Sequence, residues 1–171
     1  RANIWALKSL GVERIISISA CGSMKEQYAP RDVVIPDQIY DQTKARRPYT
    51  FFGNGLVAHI SFDEPYCPEL SQLVYQAVQK TGARVHKGGT FLTIEGPRFS
   101  SKGESRIYRQ WGVDIIGMTA VPEAQLAREA EICYCTMAHV TDYDVWRASQ
   151  EPVTVSMLIE NLLANAALTK R

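Results

Sequence analysis

Short apolar runs alternate with stretches of helical periodicity along the chain. Apolar residues three or four positions apart, with capping residues or glycines at the ends, predict helices at Ala2–Leu10, Pro68–Thr81, Ser101–Trp111, Pro122–Ala130 and Thr154–Leu168. Runs rich in β-branched residues predict strands at Arg14–Ser19, Val33–Ile35, Leu56–Ile60, Asp114–Met118 and Ile132–Val140. The segment Arg84–Ile94 fits one long strand or a bent pair, because Gly88 and Gly89 interrupt it.

This alternation of strands and helices predicts an α/β fold. The strand segments are short and largely apolar, which is typical of a sheet that helices cover on both faces. The sequence shows no internal repeat and no linker-like tract, and 171 residues suit one globular domain. We therefore expect an α/β sandwich that forms a single domain over residues 1–171.

The charge balance excludes broad classes of partner. Nineteen Lys and Arg residues face 18 Asp and Glu residues, which leaves a net charge of +1. Such a chain has no overall positive field that would attract nucleic acid or an anionic membrane. The apolar runs are also shorter than the roughly 18 residues that a membrane-spanning helix needs. We expect binding to neither nucleic acid nor membrane.

Cofactor-binding motifs are missing from the sequence. The four cysteines include no CxxC pair and only three histidines occur, which argues against a zinc site. Neither GxGxxG nor the P-loop pattern is found, which weakens the case for a dinucleotide or P-loop nucleotide site. Cys133 and Cys135 alternate in a strand and are expected to be reduced, and the histidines are explained more readily as structural residues. We expect no metal and no organic cofactor.

Polar and small residues follow four predicted strands at the points where these strands end. They lie in Ser19–Ser23, Glu95–Ser100, Gly117–Thr119 and Thr141–Asp144. Ligands of open α/β sheets bind at the carboxyl ends of strands. Each segment alone is equally consistent with an ordinary turn. Together they offer hydroxyl and N–H groups for an anion, with an aromatic ring and two carboxylates for a flat polar ligand.

Asp142 and Asp144 form the sharpest chemical signal. They follow an apolar strand and are two positions apart, so an extended backbone would place them on the same side, about 7 Å from each other. Two neighbouring carboxylates perturb each other, and one can keep its proton at neutral pH. Such a group suits an acid that protonates a leaving group. The alternative is a loop cap beside a salt-bridge partner.

Four stretches carry a resemblance to a known family. They read SACGS, GGTFLTIEGPRFSSKGES, WGVDIIGMTAVPEAQLAREAEICY and VTDYDVW, and they resemble the trimeric purine nucleoside phosphorylase superfamily, most closely its methylthioadenosine phosphorylases. The resemblance implies a three-layer α/β/α sandwich with a mixed central sheet, assembled as a cytoplasmic homotrimer. It also implies that phosphate, as co-substrate, attacks C1′ of 5′-methylthioadenosine, which yields adenine and 5-methylthioribose 1-phosphate for purine and methionine salvage.

The resemblance assigns roles to individual residues. Ser19 and Ala20 match a pair that contacts phosphate through a hydroxyl and a backbone N–H, and Thr119 matches another phosphate-contacting hydroxyl. Met118 matches the residue beneath the ribose. Phe99 matches the aromatic residue that packs on the base. The chemistry needs such an arrangement, because a cationic transition state must form above an anion.

The same resemblance makes Asp142, Tyr143 and Asp144 the residues that bind the purine, with the two carboxyl groups in catalytic roles. Adenine offers an amino donor at position 6 and an acceptor at N7, which a carboxylate and a protonated carboxyl complement. Members that use 6-oxopurines resemble this pattern with Asn in place of the first Asp. The aspartate therefore favours 6-aminopurines, because a site built for one hydrogen-bond pattern rejects the other.

Three further residues are implied at the edges of the site. Val155 matches the wall of the 5′ pocket, Ser100 lies beside Phe99 as a specificity residue, and His59 matches a residue that reaches a neighbouring subunit. The family also uses an N-terminal glycine-rich loop and an Arg-His pair, which would lie before Arg1, so we expect an N-terminally truncated domain. Two alternatives stay open, namely specificity for adenosine or 6-oxopurine nucleosides, and a purine-binding fragment without catalysis.

Overall fold

A seven-stranded mixed sheet forms the centre of the computed structural model, which describes residues 1–44, 46–147, 156, 159–161, 163 and 165–166. The strands are β1 (Arg14–Ser23), β2 (Val33–Ile35), β3 (Gln38–Gln42), β4 (Val85–Lys87), β5 (Thr90–Ile94), β6 (Ile115–Gly117) and β7 (Cys133–Asp142). The helices with assigned bounds are α1 (Ala2–Ser9), α2 (Pro68–Lys80), α3 (Lys102–Gln110) and α4 (Glu123–Glu129).

The strand order is β3-β5-β6-β1-β7-β2-β4, with parallel and antiparallel neighbours. Strand β1 runs parallel to β7 and antiparallel to β6, and β2 runs antiparallel to β7. The longest pairing joins β1 to β7, from Arg14 opposite Cys133 to Gly22 opposite Asp142. Strand β7 is buried from Tyr134 to Asp142, as its nearly continuous apolar sequence predicted.

Helices cover both faces of this sheet. On one face, Tyr134 of β7 packs with Ile4 of α1 and Leu126 of α4. On the other face, Met137 of β7 packs with Val74 of α2 in a separate apolar cluster. Successive side chains of a strand point to opposite faces, so the two clusters lie on either side of one strand. The predicted three-layer α/β/α sandwich with a mixed sheet is confirmed.

One predicted strand is absent from the described structure, and one observed strand was not predicted. The segment Leu56–Ile60 has no strand; it lies in an exposed loop, where its apolar residues pair with no other described strand. Strand β3 was missed because QIYDQ is half polar and lies at the edge of the sheet. The segment Arg84–Ile94 forms two strands, and the bend at Gly88 and Gly89 sends them to distant positions in the sheet.

The predicted turn after Ser19 is also absent, because β1 continues to Ser23. Its register with β7 shifts between Cys21 and Gly22, which is the signature of a β-bulge. A Cβ atom on Gly22 would lie 3.0 Å from Oδ1 of Asp142. The bulge therefore brings the backbone of β1 directly against a carboxyl group of the predicted site.

The last predicted helix, Thr154–Leu168, lies partly outside the described residues. Within it, Ser156, Ile159–Asn161, Leu163 and Asn165–Ala166 are helical. The Asn161 side chain donates a hydrogen bond to the Thr141 carbonyl at 2.7 Å, so this segment contacts the end of β7. Among the described helices, none has the length and apolar character needed to cross a bilayer.

Strand β1 has an open edge within the described part of the chain. One side bonds to β7 along nearly its whole length, whereas the other pairs with β6 only at Gly22 and Ser23. Beside this edge, Ile16 and Ile18 are 51% and 48% exposed. An unpaired strand edge next to exposed apolar side chains is a template for association with another strand.

We expect Ile18→Lys to reduce self-association of this chain, because a charged side chain on an open edge opposes strand pairing. Sedimentation velocity over a range of concentrations measures the effect. The matched control is Ile107→Lys, which places the same charge at a 45% exposed position on α3. If the apparent molecular mass rises equally with concentration in both variants and the wild type, the edge of β1 does not mediate self-association.

Candidate active site

A cavity of about 280 Å³ opens where the ends of β1, β6 and β7 meet the loop after β5. Seven residues expected from the sequence share its lining, namely Ala20, Phe99, Ser100, Met118, Thr119, Asp142 and Asp144. The bulged backbone of β1 contributes Cys21 and Gly22. The sheet thus brings together four segments that are far apart in the sequence.

Thr119 lines the cavity, and its hydroxyl group pairs with that of Ser19. Ser19 is buried, and its Oγ forms a short hydrogen bond with Oγ1 of Thr119. The buried hydroxyl of Thr93, which the sequence analysis did not select, donates to the Thr119 carbonyl at 2.7 Å and holds that residue in place. Two hydroxyl groups beside the backbone of Ala20 can bind oxygen atoms of an anion.

Arg47 ties the loops at the ends of β5 and β6 to each other. Its Nη1 donates to the carbonyls of Met118 at 2.9 Å and Val121 at 2.6 Å. Its Nη2 donates to the Glu95 carbonyl at 3.1 Å, and its Nε lies 3.0 Å from the Glu95 carboxylate. Arg47 was not predicted as a site residue, because no local sequence pattern separates it from the neighbouring Arg46.

Met118 follows β6 directly and packs against the loop after β5. Gly96 in that loop has a φ of +72°, and a Cβ atom there would lie 2.5 Å from the Met118 Sδ. Glycine suits this position because its backbone is left-handed, and a side chain here would force the Met118 thioether to move. The thioether is thereby fixed in the cavity wall.

The two aspartates do not lie side by side on an extended strand, which corrects the predicted geometry. Asp142 is the last residue of β7, whereas Asp144 has a φ of +53° and lies in a turn. The backbone N–H of Asp144 donates to Oδ1 of Asp142 at 2.7 Å, and the Thr141 hydroxyl donates to Oδ2 at 2.7 Å. Asp144 in turn accepts a hydrogen bond from Ser105 on α3.

Burial raises the pKa of both carboxyl groups. For Asp142, removal from water raises the pKa, while the Thr141 hydroxyl and the Asp144 N–H oppose that increase. For Asp144, burial again raises the pKa most, and the charge of Asp142 adds a smaller contribution in the same direction. Desolvation thus outweighs the mutual repulsion that the spacing had suggested. Either group can keep a proton at a higher pH than an exposed carboxyl.

The loop after β5 supplies the opposite wall of the cavity. Phe99 is 51% exposed at the mouth, and Ser100 is buried beside it. The preceding Arg98 forms two 2.8 Å bonds with the Glu104 carboxylate, which also completes a capping box with Ser101 at the start of α3. A half-exposed aromatic ring opposite two carboxyl groups provides the two faces that a flat polar ring needs.

Besides Ser19, which reaches the cavity lining through Thr119, three expected site residues are not placed at the cavity. Tyr143 is buried, but its hydroxyl lies 3.4 Å from the Glu26 carbonyl and its ring packs edge-on against Trp146. His59 is exposed in a loop rather than at a strand end. Val155 lies outside the described residues. The roles expected of these three residues stay predictions, as do the roles of the residues that line the cavity.

The remaining candidates are structural. The His86 Nε2 lies 2.7 Å from the Asp32 carboxylate, outside the cavity. All four cysteines have free thiols, with Cys133 exposed and Cys135 buried. Within the described ranges, no group of three or more His, Cys, Asp or Glu residues is arranged to hold a metal ion.

We expect Arg47→Lys to lower the free energy of unfolding by about 2–3 kcal/mol, because lysine cannot donate to carbonyls of both loops at once. Urea unfolding measures this loss. The matched control is Arg46→Lys, which changes an exposed neighbour in the same way and should leave the midpoint unchanged. Equal midpoints for both variants would show that the arginine does not hold the loops.

A family model described as "Phosphorylase superfamily" matches residues 1–169. The chain is 57% identical to the S-methyl-5′-thioadenosine phosphorylase of Gloeobacter violaceus, an alignment that covers 100% of the chain and 58% of the relative. The chain therefore spans less than two thirds of the length of this relative.

Solved structures show the same similarity. A methylthioadenosine phosphorylase from an antarctic soil metagenomic library has a TM-score of 0.93 and 48% identity, over 99% of this chain and 60% of its own. A variant of the adenosine/methylthioadenosine phosphorylase of Schistosoma mansoni, in complex with methylthioadenosine, has a TM-score of 0.89 and 36% identity, over 98% of this chain and 64% of its own.

Proposed function

The chain belongs to the phosphorylase superfamily, and we propose that its cavity takes part in phosphorolysis of 5′-methylthioadenosine to adenine and 5-methylthioribose 1-phosphate. One observation carries this proposal. A single cavity is lined by the Thr119 hydroxyl, which pairs with that of Ser19, by the Met118 thioether and by two buried carboxyl groups. The relatives named above act on or bind methylthioadenosine according to their names, which supports the same substrate here.

The proposed reaction begins with phosphate at the paired hydroxyl groups. Ser19, Thr119 and the N–H of Ala20 hold the anion, and the ribose lies over Met118. A phosphate oxygen forms the new bond to C1′ while the bond from C1′ to N9 of adenine breaks. The electron pair of that bond moves into the purine, where a proton from Asp142 reaches N7. A carboxyl group whose pKa is raised by burial is suited to this donation.

Asp144 completes the recognition of the base in this proposal. Its carboxylate accepts a hydrogen bond from the amino group at position 6, while Phe99 packs on one face of the ring. A 6-oxopurine would place an acceptor opposite this carboxylate and leave both groups unpaired. Adenosine has the same base, so the preference for a 5′-methylthio group depends on other residues, among which we propose Ser100 and Val155.

The assembly we propose is a homotrimer in which the His59 loop contacts a second copy. Tyr49, Leu56, Val57 and Ile60 are exposed around this loop and line a shallow cavity of about 530 Å³. Exposed apolar patches of this kind mark protein interfaces. The histidine would then reach the neighbouring copy's 5′ pocket.

The proposal needs phosphate as a co-substrate and no cofactor, metal, nucleic acid or membrane. It places the protein in the cytoplasm, with which four free thiols are consistent. The runner-up is purine binding without turnover. It is favoured by the absence of any cation among the described residues that line the cavity, since a phosphate dianion is usually held by positive charge.

Adenine release from methylthioadenosine, with and without phosphate, is the decisive experiment. We expect release only with phosphate, because phosphate is the attacking group. Chromatography of the free base measures it, and calorimetric titration with adenine reports binding separately. Adenine binding without any phosphate-dependent release from this chain would favour the runner-up. A protein that neither binds adenine nor releases it from methylthioadenosine would contradict both functions.

We expect Asp142→Asn to lower kcat/KM for methylthioadenosine by about 100-fold, the usual loss when a positioned acid is removed. Activity of the wild type should fall as pH rises through the raised pKa of Asp142, since the proton is then lost. Initial rates from pH 5 to 9 measure both effects. Asp63→Asn is the matched control at an exposed position. A variant with unchanged kcat/KM would remove Asp142 from the mechanism.

A further inference from the structure

Helix α3 connects the two walls of the cavity. Its first turn is joined to the Phe99 loop through the double bond between Arg98 and Glu104, and the Ser101 capping box fixes where the helix begins. The same helix reaches the carboxyl groups through Ser105, the residue that follows Glu104. The wall with the aromatic ring and the wall with the carboxyl groups therefore share one rigid support.

Ser105 makes the contact with the carboxyl wall. Its side chain is fully buried, and its Oγ donates to Oδ2 of Asp144 at 2.5 Å. The only other described partner of that hydroxyl is the Met24 sulfur at 3.9 Å, a weak acceptor. Because Asp144 has left-handed backbone angles, its turn is not fixed by strand pairing. The hydroxyl of Ser105 supplies the missing constraint.

A second contact from α3 holds the same turn from its far side. The Arg109 guanidinium lies 3.7 Å from the centre of the Trp146 ring and donates to the Met24 carbonyl at 3.0 Å. The indole N–H of Trp146 donates to the Ser23 carbonyl at 2.7 Å. The segment after β7 is thus bound on both sides of Asp144, with Ser105 as the contact that touches the carboxyl group itself.

We infer that Ser105 is a positioning residue, which holds the Asp144 carboxyl group in one orientation as a hydrogen-bond acceptor for the amino group of the purine. This inference rests on the proposed function only for the identity of the ligand. The bond from Ser105 occupies Oδ2 of a carboxyl group that lines the cavity, and so restricts the orientation of that group. No local sequence pattern marks this residue, because its partner lies 39 positions away.

The electrostatic surroundings of Asp144 fit this role. The hydroxyl of Ser105 lowers the pKa of Asp144 against the larger effect of burial, and so favours the ionised acceptor form. The charged and titratable groups around it are Asp142 at the end of β7, and Glu104, Tyr108 and Arg109 on α3. The Arg98 bonds lower the pKa of Glu104 to about 2, so the helix cap persists through the titration of Asp144.

The test is the titration of the Asp144 carboxyl carbon by NMR, in protein with labelled aspartate and with Asp144→Asn to assign the signal. We expect Ser105→Ala to raise the pKa of Asp144 by about 1 pH unit, because a bond to the charged form is lost. The loss of adenine affinity at low pH, measured by calorimetry, should move upward by the same amount. Ser71→Ala, a buried helical serine bonded to the Cys135 sulfur, is the matched control and should change neither value.

Ser105→Cys retains a side chain of similar size that is a much weaker hydrogen-bond donor. It should raise the pKa of Asp144 in the same direction, and it replaces the alanine variant if that variant fails to fold. An unchanged Asp144 pKa in a folded Ser105 variant would overturn the inference, as would an equal change in Ser71→Ala. A wild-type protein without affinity for adenine would contradict the proposed function instead, and the titration alone would then decide the role of Ser105.

Discussion

The parallel pairing of β1 with β7 is the constraint on which the candidate site depends. Its register places Ser19 opposite Ala138, and the bulge after Cys21 then places Gly22 opposite Asp142. The Ser19 hydroxyl and the Asp142 carboxyl group thereby lie on neighbouring strands. Two buried strands with a long hydrogen-bonded ladder give this spacing a rigidity that loops alone would not.

Around that strand pair, side chains complete the site by forming hydrogen bonds that connect one loop to another. The acceptors of Arg47 lie 47 to 74 positions away in the sequence. Ser105 does the same work for the turn after β7. These contacts are buried or half-buried and charge-assisted in part, so each is worth more than an exposed ion pair. The cavity is therefore held from several directions by few residues.

The sequence predicted those parts of the molecule whose signal is local. The helix Pro68–Thr81 and the strand Ile132–Val140 have periodic or continuous apolar patterns, and both appear with nearly the predicted ends. Strand β3 was missed because pairing with β5 stabilises it more than its own half-polar residues do. Leu56–Ile60 is the opposite case. Its apolar residues predict a strand, but it has no neighbouring strand to pair with among the described elements.

The site residues also divide into those with a local sequence signal and those whose contacts are distant in the sequence. Ser19, Thr119, Asp142 and Asp144 adjoin strands that the pattern reveals, and the resemblance to a family supplied their roles. No local sequence pattern identifies Thr93, Arg47 or Ser105. Their contacts are with partners that only folding brings close to them. The left-handed turn at Asp144 was equally hidden, since the sequence TDYD is compatible with an extended strand.

The burial of Asp142 and Asp144 also affects the folding equilibrium. Both pKa values rise on folding, so the folded state binds these protons more tightly than the unfolded chain does. The stability that comes from the protonated forms is present at low pH and is lost as pH rises through the raised pKa values. At neutral pH the burial of ionised carboxyl groups therefore opposes folding, and hydrogen bonds from a ligand to these groups would offset part of that cost. Any ligand that forms hydrogen bonds with these carboxyl groups would therefore add to the stability of the fold as well as fill the cavity.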